Sequence, residues 1–252
     1  MGRLMQDERI VASIEARMGS SRLPGKVLMD VGGKPALARL VGRLRACRLL
    51  DDVVVATSTF PGDDAIADWA AGYGVAVHRG SEDDVLGRVV DAQRAMASTI
   101  TVEVTGDCPL LDPELIDLGI ETFFANACDV ACNVRIPSFP QGADVQVFRT
   151  NALAEVAATI DDPAVREHVS LYFYENPDRY RTVHMLATAD RRAPDVRLQL
   201  DYAEDLEFIR AVYARLEPAH GPLFTVPAIL DLLRREPAIA AINARCAEKS
   251  VR

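Results

Sequence analysis

The first half of the chain alternates short apolar runs with longer amphipathic segments. The short runs predict strands at residues 10–14, 52–56, 75–78 and 100–105. The longer segments carry apolar residues three and four positions apart and predict helices at residues 36–47, 64–71, 85–96 and 113–124. Because strands alternate with helices, we predict an α/β fold with a mostly parallel sheet and helices on both faces. Right-handed crossovers would place the loops after the strands along one edge, where such folds bind ligands.

This alternation ends after about residue 128. Further strands are predicted at residues 129–134, 143–148, 182–187 and 196–200, and further helices at 151–160, 163–174, 203–216 and 227–247. The chain contains no internal repeat and no linker long enough to separate domains, so we predict one domain over residues 1–252. Residues 129–190 are interpreted as an insertion that caps the edge of the sheet.

Composition and charge exclude several classes of function. The 252 residues are 49% hydrophobic, which is typical of a globular chain. There are 28 Lys and Arg against 37 Asp and Glu, for a net charge of −9. Non-specific nucleic-acid binding depends on clustered Lys and Arg, so we expect no nucleic-acid partner. The polar N-terminus, and the absence of an apolar run near the ~20 residues that span a bilayer, predict a cytoplasmic protein with no membrane partner.

The five cysteines do not indicate a disulfide framework or a zinc site. Their number is odd, their spacing is irregular and there is no CxxC motif. Cys128 and Cys132 lack a second His or Cys pair to complete a zinc site. We therefore predict reduced, buried thiols.

A cationic loop directly follows the first predicted strand. Residues 16–26 read Ala-Arg-Met-Gly-Ser-Ser-Arg-Leu-Pro-Gly-Lys, which places Arg17, Arg22 and Lys26 within ten residues of an otherwise acidic chain. Gly and Ser let backbone N–H groups face an oxyanion, and the three cations would neutralise a polyphosphate. The pattern is neither a Walker A loop nor the GxGxxG of dinucleotide-binding folds. The alternative interpretation is a solvated surface loop.

Two carboxylates lie at the ends of separate predicted strands. Asp107 follows residues 100–105 on a Gly106 turn, and Asp201 follows residues 196–200. Together they could hold one Mg²⁺, which takes few protein ligands and keeps water and phosphate oxygens for the rest. Asp201 could instead be the N-cap of the next helix, and Asp205 could be a partner of that helix's macrodipole.

Residues 14–28 (IEARMGSSRLPGKVL) resemble the nucleotide-binding signature of cytidylyltransferases that make CMP-activated sugar acids. That family includes the CMP-Kdo synthetases, the acylneuraminate cytidylyltransferases and the spore-coat SpsF branch, to which the likeness is greatest. The likeness spans roughly residues 9–212 and continues in order through residues 56–58, 79–86, 105–110, 140–145, 166–169 and 200–206. The chain departs from the family at Glu15, where Gln is common, and at Tyr202-Ala203, where Thr-Pro is frequent.

The resemblance implies a Rossmann-like nucleotide-diphospho-sugar transferase fold and a set of site residues. Arg17, Arg22 and Lys26 would be catalytic and hold the CTP phosphates, while Asp107 and Asp201 would bind Mg²⁺ as the cofactor. The nucleotide contacts would be Ala16, Arg17, Met18, Ser20, Ser21, Arg22, Lys26, Thr57, Ser58, Arg79, Ser81, Asp84 and Gly106. The contacts to the sugar acid would be Gln141, Asp144, Arg166 and His168. Residues 9–128 would form the nucleotide-binding half, 129–190 an acceptor and dimerisation cap, and 191–252 the part with the second metal aspartate.

The implied activity is transfer of CMP from CTP to a sugar acid with release of pyrophosphate, for polysaccharide or glycan biosynthesis. Arg166 or Arg135 would hold the acceptor carboxylate. The partners are CTP, the acceptor and a second copy of the chain, with Tyr172, Phe173 and Tyr174 either at that interface or in the core. Two alternatives stay open, a nucleotide-sugar glycosyltransferase and a non-catalytic nucleotide-binding regulator. Glycosyltransferases typically use an Asp-x-Asp metal motif, whereas Asp107 is followed by Cys and Pro.

Overall fold

A computed structural model describes residues 7–247, so both ends of the predicted domain, 1–6 and 248–252, lie outside it. The described residues form one sheet of seven strands in the order β3-β2-β1-β4-β6-β5-β7. Its strands are β1 (Ile10–Glu15), β2 (Asp52–Ser58), β3 (Ala76–Gly80), β4 (Ile100–Thr105), β5 (Val130–Cys132), β6 (Gln146–Arg149) and β7 (Thr182–His184). Strand β6 runs antiparallel to both of its neighbours, and every other pairing is parallel. The predicted mostly parallel sheet is confirmed.

Ten α-helices lie among the described residues. They are α1 (Ala36–Leu44), α2 (Asp64–Tyr73), α3 (Val85–Ala95), α4 (Pro113–Ala125), α5 (Thr150–Thr159), α6 (Pro163–Glu167), α7 (Leu171–Glu175), α8 (Ala203–His220), α9 (Val226–Arg235) and α10 (Pro237–Ala240). None of these helices is long and apolar enough to cross a membrane.

The core is divided by the sheet into two hydrophobic clusters. Along β1, Ala12 and Ile14 belong to the cluster that includes α1, α4 and α8, whereas Val11 belongs to the one that includes α3 and α5. This alternation follows from the two-residue period of a strand, and apolar side chains on both faces require helices on both sides. All five cysteines are free thiols, and four of them are buried, as expected.

The elements of the first half lie within three residues of their predicted ends, but several later ones differ. Predicted strand 129–134 shortens to Val130–Cys132, because the side-chain amide of Asn133 donates to the carbonyl of Ala143 and accepts from the N–H of Val145, replacing ladder bonds. Predicted helix 163–174 divides into α6 and α7, and the break lets Phe173 pack into the core. Predicted helix 227–247 is interrupted at Glu236, the residue before a proline, where helical backbone is disfavoured.

The prediction of a strand at 196–200 is wrong. This segment makes one parallel bridge, between Arg197 and Gln141, and two backbone hydrogen bonds around it. A third bond, from the N–H of Leu200 to the carbonyl of Asp107, ties the segment to the end of β4. The segment therefore lies across the carboxyl edge of the sheet, which brings Asp201 to the loop after β4. Residues 129–190 extend the sheet by three strands, and their helices α5 and α6 pack against α3.

Candidate active site

The cationic loop is held in a compact turn at the carboxyl end of β1. The N–H of Gly25 donates to the carbonyl of Met18 at 3.0 Å, and Gly25 adopts a left-handed conformation with φ of 73° that disfavours a side chain. The next residues, Lys26–Leu28, form one 3₁₀ turn. Arg22 and Lys26 are directed back over the sheet edge, whereas Arg17 is half-exposed and lies 3.6 Å from Glu167 of α6.

The ammonium group of Lys26 lies between the two predicted metal carboxylates. Its Nζ atom is 2.6 Å from Oδ2 of Asp107 and 2.7 Å from Oδ1 of Asp201. Arg22 contributes a second cation, with Nη2 at 2.7 Å from the same oxygen of Asp201. Residues 175 positions apart in sequence therefore share one cluster. The structure thus brings the cationic loop together with Asp107 and Asp201.

The charges of this cluster stabilise one another. Burial opposes the ionisation of Asp201, but hydrogen bonds from Arg22 and Lys26 outweigh it and lower the pKa of this carboxyl to about 2. Burial likewise opposes the charge of Lys26, and the attraction of Asp107 and Asp201 outweighs it, so the pKa of the ammonium group is raised. Lys26 is therefore a cation and Asp201 an anion at neutral pH.

Asp107 is oriented by neutral groups. Its Oδ1 atom accepts from the hydroxyl of Thr105 at 2.7 Å, and its Oδ2 atom accepts from the side-chain amide of Gln199 at 3.2 Å. Gly106 makes the close approach to β1 that this turn requires, because a Cβ atom there would lie 2.8 Å from the carbonyl oxygen of Glu15. The turn thus fixes the backbone of Asp107, and two polar side chains fix its carboxylate.

The chemistry of the donor set fits a hard divalent cation. Carboxylate oxygens of Asp107 and Asp201 lie within 2.7 Å of a single nitrogen atom, so one small cation can contact both. Mg²⁺ is usually held by one or two carboxylates together with phosphate and water oxygens. No cluster of three or more His, Cys, Asp or Glu side chains suited to a metal occurs within residues 7–247, so the two aspartates would hold the ion without a third such ligand.

The remaining predicted nucleotide contacts are placed along the same edge, several of them in structural roles. Arg79 donates to the carbonyls of Ser58 and Phe60 and pairs with Asp64, which braces the loop after β2. Asp84 caps α3 through the N–H of Gly87. The other predicted contacts are the buried side chains of Ala16, Thr57 and Ser58, the half-buried ones of Met18 and Ser20, the exposed ones of Ser21 and Ser81, and the turn glycine Gly106.

The predicted acceptor contacts do not all converge. The side chain of Gln141 accepts from Arg197 at 3.4 Å, and Asp144 is near enough to add to the effect of burial in raising the pKa of the Cys108 thiol. His168 follows Glu167, the partner of Arg17. Arg166 donates to Asp84, Asp161 and the carbonyl of Ala157, so it fastens α6 to the start of α3.

Arg135 and the three aromatic residues lie in the same region. Arg135 is exposed and lies over the ring of Tyr174 at 5.2 Å. Phe173 is fully buried against Phe148 and Tyr180, so the core alternative holds for this residue. The other two tyrosines are half-buried.

Sequence reasoning missed three groups that build the site. The carboxylate of Asp63 accepts from the N–H of Met18 at 2.6 Å and from the hydroxyl of Ser58, which fixes the start of the cationic loop. Gln199 contacts Asp107, and the buried guanidinium of Arg197 contacts Asp201. Arg197 and Gln199 lie just before Asp201, and this proximity was the available signal. Asp63 offered none, because its contact spans 45 residues.

A second carboxyl pair lies under the sheet edge beside this cluster. Glu15 and Glu103 project from β1 and β4 and are hydrogen-bonded to each other, and Glu103 also accepts from the amide of Gln146. Burial raises the pKa of Glu15 to about 7. Burial and the charge of Glu15 raise the pKa of Glu103 further above its ordinary value. At this position, where the chain departs from the family, the carboxyl group of Glu15 therefore lies inside the protein beside a second carboxyl group.

Comparison with known proteins identifies relatives over nearly the whole chain. The profile of the Cytidylyltransferase family matches residues 11–221. The spore coat polysaccharide biosynthesis protein SpsF of Bacillus subtilis is 35% identical, over 92% of this chain and 96% of its own. A 3-deoxy-manno-octulosonate cytidylyltransferase of Anaeromyxobacter dehalogenans is 33% identical, over 81% of this chain and 84% of its own.

Solved structures support the same relationship. A cytidylyltransferase from Leptospira borgpetersenii superposes with a TM-score of 0.87 at 28% identity, covering 96% of this chain and all of its own. A CMP:2-keto-3-deoxy-manno-octonic acid synthetase complexed with CTP shares the fold, with a TM-score of 0.61 at 21% identity over 82% of this chain and 99% of its own. The match over residues 11–221 and the identity to relatives of similar length establish that this chain belongs to the cytidylyltransferase family of nucleotidyltransferases.

Proposed function

We propose that this enzyme transfers CMP from CTP to a sugar acid and releases pyrophosphate, as a step in polysaccharide or glycan biosynthesis. The observation that carries the proposal is the contact of Lys26, from the cationic loop, with the carboxylates of both Asp107 and Asp201. Relatives named for 3-deoxy-manno-octulosonate favour an acid as acceptor, and the name of SpsF favours polysaccharide biosynthesis.

The reaction needs positioning and charge neutralisation more than covalent catalysis by the protein. A hydroxyl oxygen of the acceptor forms a bond to the α-phosphorus of CTP, while the bond from that phosphorus to the α–β bridging oxygen breaks. The hydroxyl proton passes to solvent and pyrophosphate carries away the negative charge. Arg17, Arg22 and Lys26 would bind that charge as it develops. Mg²⁺ held by Asp107 and Asp201 would supply polarisation of the phosphate oxygens.

Substrate binding requires the loop cations to change partners. In the structure Lys26 and Arg22 contact the carboxylates of Asp107 and Asp201, and the half-exposed Arg17 contacts that of Glu167. The oxygens of a triphosphate would bind the loop cations, and Asp107 and Asp201 would then be able to hold a divalent cation in their place. This exchange keeps the site near electrical balance, since a cation leaves the carboxylates as another arrives.

Acceptor binding is proposed for the region between the sheet edge and residues 129–190. Arg135 is the better candidate for the acceptor carboxylate, because Arg166 is bound to three protein groups. Arginine suits this task since its planar fork matches a carboxylate. We also propose that residues 129–190 mediate a homodimer, which sedimentation velocity of the purified protein tests directly.

The decisive experiment measures pyrophosphate release for each of the four nucleoside triphosphates against a panel of sugar acids. Release that requires both CTP and an acid is the expected result. Consumption of a nucleotide sugar without pyrophosphate would instead indicate a glycosyltransferase. Binding of CTP without turnover across the whole panel would indicate a regulator.

The loop is tested with a matched pair of lysine variants. Lys26→Ala should lower kcat/KM by about 100- to 1,000-fold, as loss of one preorganised charge at a transition state typically does. Lys34→Ala removes an exposed lysine nearby and should change nothing. Near-normal turnover of Lys26→Ala would remove the loop from the mechanism.

A further inference from the structure

The two oxygens of Asp201 have partners of different kinds. Oδ1 faces Lys26 and Arg22, both of which come from the cationic loop and retain some exposure. Oδ2 accepts from Nη2 of Arg197 at 2.6 Å, and the Arg197 side chain is only 4% exposed. One oxygen is thus directed at the substrate side of the site, and the other is bound to a guanidinium inside the protein.

The charge of Arg197 is balanced by a second carboxylate. Its Nε atom lies 3.1 and 3.2 Å from the two oxygens of Asp205, which is fully buried at the start of α8. Asp205 also accepts from the N–H groups of Asp201 and Tyr202, at 2.9 and 3.0 Å. The side-chain amide of Asn243 donates both to Asp205 and to the carbonyl of Arg197. These contacts fix the pair from three segments of the chain.

We propose that Arg197 and Asp205 act as a positioning pair for Asp201. Arg197 sets the orientation of the carboxylate through Oδ2, and Asp205 neutralises Arg197, so Asp201 keeps its full negative charge at Oδ1. The inference rests on the proposed function, in which the cation that Oδ1 receives with the nucleotide is Mg²⁺. In a buried site an unbalanced guanidinium would reduce the attraction of that carboxylate for a metal.

The capping geometry supports a role beyond helix stability. Tyr202, not Asp201, is the N-cap residue of α8. The carboxylate of Asp205 accepts a hydrogen bond from the backbone N–H of Tyr202 and so completes the cap. Asp201 is therefore not needed to cap the helix. Among residues 7–247 Asp107 has no comparable ion pair on its far side, since its Oδ1 atom accepts from the neutral hydroxyl of Thr105. The charge-balance effect should be specific to Asp201.

The test measures Mn²⁺ affinity by electron paramagnetic resonance, with α,β-methylene-CTP bound and no turnover. Asp205→Asn keeps the shape of the side chain and leaves the charge of Arg197 opposed only by Asp201. Affinity for Mn²⁺ should fall by about 10- to 100-fold, the usual effect of losing a partner of a metal ligand. Asp112→Asn is the matched control, since Asp112 is also fully buried and caps α4. It should lower the melting temperature and leave Mn²⁺ affinity unchanged.

The double variant Arg197→Gln/Asp205→Asn separates charge balance from packing. It removes both charges, so Mn²⁺ affinity should lie well above that of Asp201→Asn, yet below wild type because Oδ2 of Asp201 loses its orienting donor. The melting temperature should fall as well. A double variant that binds Mn²⁺ as weakly as Asp201→Asn would overturn the proposal, and this comparison stands even if Asp205→Asn alone does not fold. Wild-type affinity in a folded Asp205→Asn would overturn it as well. If the wild-type complex itself binds no Mn²⁺, the metal assignment of the proposed function fails instead.

Discussion

Replacing Glu15 by Gln should stabilise the protein at alkaline pH and have little effect in acid. The carboxyl group of Glu15 is buried, and burial is the main reason that its pKa is raised from 4.5 to about 7. A carboxyl group with a raised pKa in the folded state binds a proton that the unfolded chain has already released. Its contribution to stability is therefore complete below pH 4.5 and is lost as the pH rises through 7.

The size of the effect follows from the two pKa values. Each pKa unit corresponds to 1.36 kcal/mol, so Glu15 costs up to about 3 kcal/mol at pH 8 and less than about 1 kcal/mol at pH 5. Gln has nearly the same shape, carries no charge and can still hydrogen-bond to Glu103. The Glu15→Gln variant should therefore gain up to about 3 kcal/mol in free energy of unfolding at pH 8, and much less at pH 5.

Urea denaturation at the two pH values measures this difference, with the fluorescence of the single tryptophan, Trp69, as the signal. Glu207→Gln is the control, because it removes an exposed glutamate on α8 and should show no such pH dependence. A gain of equal size at pH 5 and pH 8 would assign the effect to packing. No gain at pH 8 would refute the argument from burial.

Three further predictions concern the site. Asp107→Asn should abolish divalent-cation-dependent turnover while circular dichroism shows a folded protein, and wild-type rates at limiting Mg²⁺ would contradict the metal assignment. Arg135→Ala should raise the KM for the acceptor and leave the KM for CTP nearly unchanged, whereas Arg166→Ala should mainly lower the melting temperature; the opposite pattern would exchange their roles. Asp63→Asn should lower the free energy of unfolding by about 1–3 kcal/mol, because the half-buried N–H of Met18 loses its carboxylate acceptor on the buried Asp63. Thermal denaturation equal to that of wild type would show that Asp63 does not hold the loop.

The sequence predicted strands β1 to β4 well, because their local pattern of residues is that of a buried strand. Strands β1 to β4 carry apolar or β-branched runs whose ends are marked by turn residues, so their existence and order could be inferred. The segment at 196–200 has the same pattern, yet it makes a single bridge. Its apolar residues are buried because the segment crosses the edge of the sheet. The same alternation of apolar and polar residues would occur in a strand, so the pattern cannot distinguish the two. The wrong prediction still placed Asp201 at the correct edge.

From the sequence, only the site residues that lie at the ends of predicted strands could be assigned to the site. The loop that carries Lys26 follows β1, Asp107 follows β4, and Asp201 follows an apolar segment at the same edge. The rule that ligands bind at the carboxyl ends of parallel strands brings these residues together. The roles of Asp63 and Arg197 depend on contacts whose partners no local pattern specifies. Arg166 illustrates the opposite case, since a cation in the right region was expected to bind substrate and instead joins two helices.

Burial, more than chemical type, separates the cations of this site by role. The side-chain exposure falls from 45% for Arg17 and 27% for Arg22 to 12% for Lys26 and 4% for Arg197. A cation that water can reach is solvated while it exchanges one anionic partner for another, whereas a buried one would be left uncompensated during the exchange. In the proposed mechanism the three loop cations would therefore pass from carboxylates to phosphates, while Arg197 would stay with Asp201. All four are basic residues in the sequence, and only the fold determines which of them are able to move.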